Sequence, residues 1–256
     1  MGNPETCELI YRDEHLVAVN KPSGLLVHRS PIDRHETRFA LQMVRDQVGQ
    51  HVYPVHRLDK PTSGVLLFAL SSENARRLAA QFSAGEVRKH YLAVVRGYSP
   101  EAGTIDYPLV EELDRLADRD RIARGRQRDG QAAVTHYQRL ATAEIAVAVD
   151  RYPQTRYSLV ALRPETGRKH QLRRHMKHIG YPVIGDAKHG KGVHNRFFQK
   201  QYDCHRLLLA CTALEVSHPS TGVALTLRAG LDEPFLRVLD AFDWRRALPA
   251  WLQAAG

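Results

Sequence analysis

The sequence predicts an α+β protein, a mixed, mostly antiparallel sheet flanked by helices and loops. Three observations predict it. Strand-like runs outnumber helical ones. The two kinds do not alternate regularly, as a doubly wound parallel sheet would require. The chain has 256 residues, 43% of them hydrophobic, enough to bury a sizeable core without disulfides or metals.

Taken in order, Glu8–Tyr11 and Leu16–Asn20 read as a first pair of strands, and Pro22-Ser23-Gly24 as a turn leading into Leu25–Val27. Thr37–Val48 has Leu41, Val44 and Val48 at helical spacing. Val52–His56 and Val65–Leu70 are strand-like and flank Arg57–Gly64. Ser71-Ser72-Glu73 opens a helix whose Ala75, Leu78, Ala79 and Phe82 share a face and whose stop is Gly85. Val87–Arg96 is a long strand with Tyr91, Ala93 and Val95 on one side and His90, Leu92 and Val94 on the other. Residues 111–130 carry six acids and six arginines with almost no large apolar side chain after Leu116, which predicts a solvated charged loop. Strands resume at Val134–Leu140, Ile145–Val149 and Tyr157–Leu162. Lys169–Ile179 is helical. Arg206–Cys211, Leu214–Ser217 and Val223–Leu227 are further strands, and Pro234–Phe242 is a closing helix.

Composition narrows the function classes. A formal net charge of +9 suits a polyanionic partner, because each neutralised phosphate releases condensed counterions. The three cysteines, Cys7, Cys204 and Cys211, are odd in number and far apart, and no CxxC pair exists. That pattern argues against a disulfide framework and a thiolate zinc site and suits a reducing cytoplasm. The first residues have no apolar core of a signal peptide, and no apolar run reaches the roughly 18–20 residues of a membrane span.

Two stretches carry chemistry. In His56-Arg57-Leu58-Asp59-Lys60-Pro61-Thr62-Ser63-Gly64 a single acid sits among cations at a turn forced by Pro61 and Gly64. An opposite charge within a few ångströms favours a carboxylate's ionised form, which a nucleophile or base needs. The bland alternative is a surface Arg–Asp pair. A kinase catalytic loop is excluded, because the order is wrong and neither a Gly-rich loop nor a DFG accompanies it. The second stretch, Thr166–His178, holds five Lys/Arg, three His and no acid. As a helix it turns Leu172, Met176 and Ile179 to the core and sets Lys169, Arg173 and Lys177 along another face. Like charges at that spacing repel, and an anionic partner would resolve them; a solvated basic helix is the alternative. No HExxH or His–carboxylate pattern points to a metal. Tyr91, next to Arg88-Lys89-His90, is either a stacking ring for a nucleobase or a core tyrosine. Gly190-Lys191-Gly192 lacks the Walker spacing.

Together these segments resemble the RluA family of pseudouridine synthases. Residues 56–64 resemble its catalytic HRLDxxTSG loop. Arg88–Gly97 resembles its K-x-Y-x-A-x-V-x-G motif, Leu162–Arg173 its L-x-P-x-T-G-R-x-H-Q-L-R motif, and Pro182-Val183-Ile184-Gly185-Asp186 its P-I-x-G-D. The likeness runs from about residue 8 to 230, with the motifs in family order. Ala18–Ser30, Tyr107–Asp114 and Arg151–Tyr157 resemble the branch that modifies uridine 65, on the T-stem side of tRNA. One departure appears where the family has R-L-x-L-H-A: Arg206-Leu207-Leu208-Leu209 runs into Ala210-Cys211, and the missing His puts a local packing or substrate contact in doubt.

The resemblance implies the pseudouridine synthase catalytic fold as one domain over residues 1–256, without an S4 domain and with 111–130 as a charged insertion. It implies a cytoplasmic, monomeric enzyme with tRNA as partner, no cofactor and no metal. Its catalytic residues would be Asp59, Tyr91 and Arg173, with Asp59 attacking the nucleotide or removing a proton, Tyr91 stacking on the flipped base and Arg173 pairing with Asp59. Arg57 would fill the space the base leaves, and Arg168, Lys169, Arg174 and Lys177 would join it in binding RNA. The alternatives are an rRNA-modifying relative and a non-catalytic RNA-binding protein on the same fold.

Overall fold

The computed structural model describes residues 6–29, 35–112 and 129–253. Of the predicted charged loop at 111–130, residues 113–128 lie outside that set. Among the described residues ten strands form one sheet. They are β1 (Glu8–Arg12), β2 (Leu16–Lys21), β3 (Tyr53–Pro54), β4 (Ser63–Ala69), β5 (Arg88–Arg96), β6 (Ala102–Asp106), β7 (Val134–Ile145), β8 (Thr155–Pro164), β9 (Leu209–Ser217) and β10 (Ala224–Arg228). Their order is β1-β2-β4-β9-β5-β8-β7-β6, with β3 beside β4 and β10 beside β9. The helices are α1 (Ala40–Val48), α2 (Ser72–Ala84), α3 (Gln171–His178), α4 (Gly192–Tyr202), α5 (Glu233–Ala241) and the short α6 (Ala250–Gln253). The architecture is the predicted mixed, mostly antiparallel sheet with flanking helices.

One pairing between named strands departs from the antiparallel rule. β4 and β9 run parallel, with Ser63 opposite Ala210 and Gly64 opposite Cys211. Tyr91 on β5 pairs with Cys211 from the other side and with Leu162 near the end of β8. The starts of β4, β5 and β9 and the end of β8 therefore meet at one edge. Gly64 makes the seam possible: its φ is +109°, and a Cβ there would collide with the Cys211 carbonyl.

Apolar clusters cover both faces. Leu92 and Val94 pack with Phe198 of α4 and Phe235, Val238 and Leu239 of α5. Ala93 and Val95 pack on the opposite face with Leu172 and Met176 of α3. The alternation predicted for β5 is thus observed. The β4–β9 half repeats the arrangement with Leu78 of α2 on one face and Val44 of α1 on the other.

Several predicted boundaries shift for local reasons. α1 begins at Ala40 and not Thr37, because Leu26 and Val27 carbonyls accept from the Ala40 and Leu41 N–H groups and hold Phe39 extended. α2 begins and ends as read: Ser71 Oγ accepts from the Asn74 N–H at 3.2 Å, and Gly85 closes it at φ 74°. Val134–Leu140 and Ile145–Val149 are one strand with a bulge near Leu140, ending at Ile145. Arg206–Cys211 and Leu214–Ser217 also merge, leaving Arg206–Leu208 outside β9. The strand Ala102–Asp106 and the helix Gly192–Tyr202 were not foreseen: the first is short and contains Gly103, and the second sits behind a Gly/Lys stretch that reads as loop.

Gly64→Ala should disrupt the parallel seam and cost roughly 3 kcal/mol, from backbone strain and the collision together. Urea denaturation of the two proteins checks it, and an unchanged midpoint contradicts this account of the seam.

Candidate active site

The loop before β4 alternates its side chains between core and cleft. Leu58 is buried against Leu16, Val65, Leu67 and Cys211, while Arg57 is exposed and Asp59 partly so. His56 turns inward: its Nε2 accepts from the Leu67 N–H at 3.0 Å, and its ring stacks on Phe82 at 5.0 Å. Burial pushes the His56 imidazole down to about 3, so it stays neutral and structural.

A second turn cinches this loop. The Lys21 ammonium is fully buried and donates to the carbonyls of Pro22 (2.9 Å), Leu25 (2.8 Å) and Lys60 (3.1 Å). Three acceptors match the three N–H groups of an ammonium, although burial pushes Lys21 down to about 7. The Gly24 N–H also reaches the Lys60 carbonyl (2.9 Å), and Ser23 Oγ the Pro61 carbonyl (2.7 Å). Lys21 and Ser23 belong to the Ala18–Ser30 stretch, whose sequence alone does not disclose this clamp.

α3 brings the counter-charge. Its entry is fixed by Gln171, whose Oε1 accepts from Thr166 Oγ1 (2.7 Å) and the Arg168 N–H (3.0 Å) while Nε2 donates to the Val134 carbonyl (2.9 Å) and Thr135 Oγ1 (3.0 Å). His170 takes a left-handed φ of 56° immediately before the helix. The predicted start at Lys169 is therefore two residues early. The predicted Lys169–Arg173–Lys177 face is corrected too, because Arg173 is buried and turned inward.

Arg173 joins two aspartates. Nη1 donates to Asp59 Oδ2 at 3.0 Å, while Nε and Nη2 donate to Asp186 at 2.7 and 2.8 Å. Asp186 also accepts from the N–H groups of Lys188 and His189, each at 2.9 Å. Burial alone would raise the Asp186 carboxyl, but the Arg173 fork and those two N–H groups hold it below the ordinary carboxylate range. Tyr91 lines the same cleft. Burial first, then a hydrogen bond with Cys211 and the nearby Asp59, raises its phenol well above 10, so it remains a neutral ring with its proton.

The cleft is about 980 Å³ and is lined by Arg57, Asp59, Tyr91, Arg168, Lys169 and Arg173 among others. Arg174 and Lys177 lie outside its lining. Arg174 is engaged with the Val110 carbonyl (2.9 Å) and Glu112 (3.5 Å), and Lys177 is exposed. Lys89, absent from the sequence-based set, also lines the cleft and donates to the Glu165 and Thr166 carbonyls at 3.2 and 3.3 Å.

Beside Asp59 sits the one group of metal-ligand types found among the described residues: Glu112, His170 and His189, with donor atoms within 4.8 Å of one another. Two contacts already lie within it. His170 Nδ1 and His189 Nε2 share a hydrogen bond of 3.0 Å, and the Lys188 ammonium pairs with Glu112 Oε2. Burial is the main cause that pushes His170 down to about 4. The three cysteines are free and buried, and no described helix is long and apolar enough to cross a membrane.

Comparison with known proteins shows which family the chain belongs to. A family described as RNA pseudouridylate synthase matches residues 15–178. The chain belongs to the RNA pseudouridylate synthase family. It is 55% identical over 242 residues to a protein of Yersinia pestis named tRNA pseudouridine synthase C, covering 94% of this chain and 93% of that one. A protein of the same name from Vibrio cholerae is 51% identical over 241 residues, with 94% and 98% covered. One from Pectobacterium carotovorum is 56% identical, and there the chain spans 64% of the relative's length. Among solved structures, the human RNA pseudouridylate synthase domain containing 1 is 26% identical, with a TM-score of 0.69 over 94% of this chain and 89% of that one. This pseudouridylate synthase family member places the acid of its first motif, the aromatic ring of its second and the arginine of its third around one cleft.

At position 210, where the family His is missing, Ala210 is buried between Ser63 and Leu92. Arg206 fills the neighbourhood, donating to Ser63 Oγ (2.9 Å) and the Leu209 carbonyl (3.1 Å) and pairing with Asp232.

Two outcomes follow from this geometry. Asp186→Asn leaves the Arg173 charge under-compensated in a buried site and should cost about 3–5 kcal/mol, measured by urea denaturation. Acid should also weaken the fold in stages. His170 stays neutral down to about 4, whereas an unfolded histidine gains its proton near 6.5. Stability therefore falls as pH drops from 6.5 toward 4, and the contribution of Asp186, present above about pH 4, is lost as pH falls through its lowered folded value. Urea midpoints at pH 7, 5.5 and 4.5 should decline, less steeply in His170→Asn. Parallel declines in the two proteins contradict the role given to His170.

Proposed function

We propose that this chain converts uridine to pseudouridine in tRNA, at uridine 65 on the T-stem side, with Asp59 as the catalytic carboxylate. The observation that carries the reading is the Arg173–Asp59 hydrogen bond of 3.0 Å in a cleft shared with Tyr91. The names of the relatives support tRNA as the substrate, and the stretches Ala18–Ser30, Tyr107–Asp114 and Arg151–Tyr157 support the position.

The target uridine leaves its stack to reach the cleft, since its glycosidic bond is inaccessible inside a helix; extrusion costs a few kcal/mol. Arg57, exposed at the rim, takes the vacated space. The Tyr91 ring receives the flipped base, and its neutral phenol adds no charge against Asp59. Asp59 acts on the nucleotide, the N1–C1′ bond breaks, the uracil turns, and C5 bonds to C1′ while the C5 proton leaves to solvent and N1 takes one up. Arg173 keeps the Asp59 oxygen aimed and paired with a positive charge throughout. Arg168 and Lys169 face the phosphates beside the cleft. Arg174 and Lys177 contact the backbone farther out, positioning the RNA without reading sequence. Binding and reaction draw on these side chains alone, in the cytoplasm and as a monomer.

Asp59→Asn should bind tRNA with near-wild-type affinity and release no tritium from 5-tritiated uridine; turnover by that variant removes Asp59 from the chemistry. Mapping pseudouridines in tRNA and rRNA from cells lacking the protein should show loss at tRNA uridine 65, and loss in rRNA instead reassigns the substrate. EDTA should leave tritium release unchanged, because the Lys188 ammonium already neutralises Glu112 in the His170–His189 cluster. A clear loss would show that the cluster holds a required metal.

A further inference from the structure

A second cavity of about 630 Å³ lies at the other end of β5 and β8 from Asp59. Tyr91 to Arg96 is five strand steps, about 17 Å. The cavity is large enough for a nucleotide, and the Asp59 chemistry uses none of its walls. Its rim includes Tyr152 and Arg156, from the Arg151–Tyr157 stretch that the catalytic site leaves unexplained.

Three features point to a ligand. First, His194 is 2% exposed and lines the cavity, yet its Nε2 has no hydrogen-bond partner. Its other ring nitrogen, Nδ1, lies 3.0 Å from the Tyr157 hydroxyl. Tyr157 is wholly buried, and among the described residues this nitrogen is the one acceptor within reach of its O–H. The phenol therefore donates to Nδ1, and the N–H of the neutral imidazole sits on Nε2. A buried donor without an acceptor is costly and calls for an oxygen from a ligand. Second, the guanidinium of Arg96, also in the wall, makes no hydrogen bond or ion pair with a described residue. The neighbouring cations differ: Arg156 pairs with Glu144 (2.6 Å) and Lys191 with Asp150 (3.2 Å). Third, two aromatic rings stand open at the rim, Tyr98 at 37% and Tyr152 at 58% exposure, and Arg156 lies over Tyr98 at 5.1 Å.

An oxygen-seeking donor, an uncommitted guanidinium and exposed rings within one concavity match the parts of a nucleotide: base carbonyl, phosphate and π-face. We propose that this cavity holds a second, non-reacting nucleotide of the RNA substrate, unpaired in the bound RNA, and so fixes which RNA is presented to Asp59. The base stacks on Tyr152, its carbonyl accepts from His194 Nε2, and its phosphate meets Arg96. The proposal rests on the reading of the chain as a tRNA-modifying enzyme, since the tRNA must span from one cavity to the other.

The test uses the full chain and an unmodified tRNA transcript. Tyr152→Ala removes an exposed ring without changing charge. It should raise both Kd and KM about tenfold, within the range for loss of one base–aromatic stack, while kcat at saturating tRNA and the salt dependence of binding stay at wild-type values. Arg96→Gln should weaken binding comparably and lower the slope of log K against log salt by about one, as loss of one phosphate contact does. Wild-type Kd and KM in both variants overturn the proposal, as does a fall confined to kcat. Both variants keep Asp59, Tyr91 and Arg173. A failure of the catalytic reading would therefore appear separately, as absent tritium release by the unaltered protein, and would leave the Kd ratio to judge the cavity.

Discussion

The guanidinium of Arg173 is the point on which the site depends. It is buried, so its charge must be met within the protein. Two carboxylates meet it from different directions: Asp186 through a two-bond fork and Asp59 through one hydrogen bond of 3.0 Å. Three segments are thereby tied together, the loop before β4, helix α3 and the loop around residue 186 that follows it. Asp186 is the more deeply placed of the two, with its side chain fully buried and two backbone N–H groups on it. It holds the arginine, and the arginine in turn aims Asp59, whose side chain is 23% exposed. The division leaves one carboxylate structural and the other facing the cleft.

The rest of the site reads as support for that geometry. A reactive loop gains rate by being held in position before substrate arrives. Here Lys21 grips the carbonyl of Lys60 from below, Leu58 plugs into the core, and Gly64 lets the following strand run tight against Cys211. On the opposite wall Gln171 satisfies four hydrogen bonds and locks the turn that launches α3. Beside Asp59, Lys188 pairs with Glu112, and His170 and His189 share a hydrogen bond. The Asp59 end of the sheet is thus densely bonded, whereas the cavity 17 Å or so along β5 keeps a donor and a guanidinium that no described residue engages.

Much of the fold was legible because it depends on local pattern. The alternation in β5, the Ser71 cap and Gly85 stop of α2, and the absence of βαβ alternation are properties of neighbouring residues. The misreadings share a different cause. α1 starts late because carbonyls of Leu26 and Val27 take its first N–H groups. The two halves of β7 join because β8 lies alongside both. Spacing groups Arg173 with Lys169 and Lys177, although Asp59 and Asp186, one of them 114 residues away, draw it inward. In each case the deciding partner lies outside the element whose pattern is being read.

By itself, the order of residues pointed to the kind of sheet through local pattern, and to the family and the three side chains of the candidate site through the resemblance of its motifs. It could not show that Asp186 anchors Arg173, that Lys21 is a buried clamp, that Arg174 is committed to Glu112, or that His194 keeps a spare donor at the far end of the sheet. Those facts arise only when β4 and β9 come into parallel register and α3 docks on β5 and β8. Hydrogen bonds and ion pairs act over about 3 Å of space, and chain separation does not report that distance.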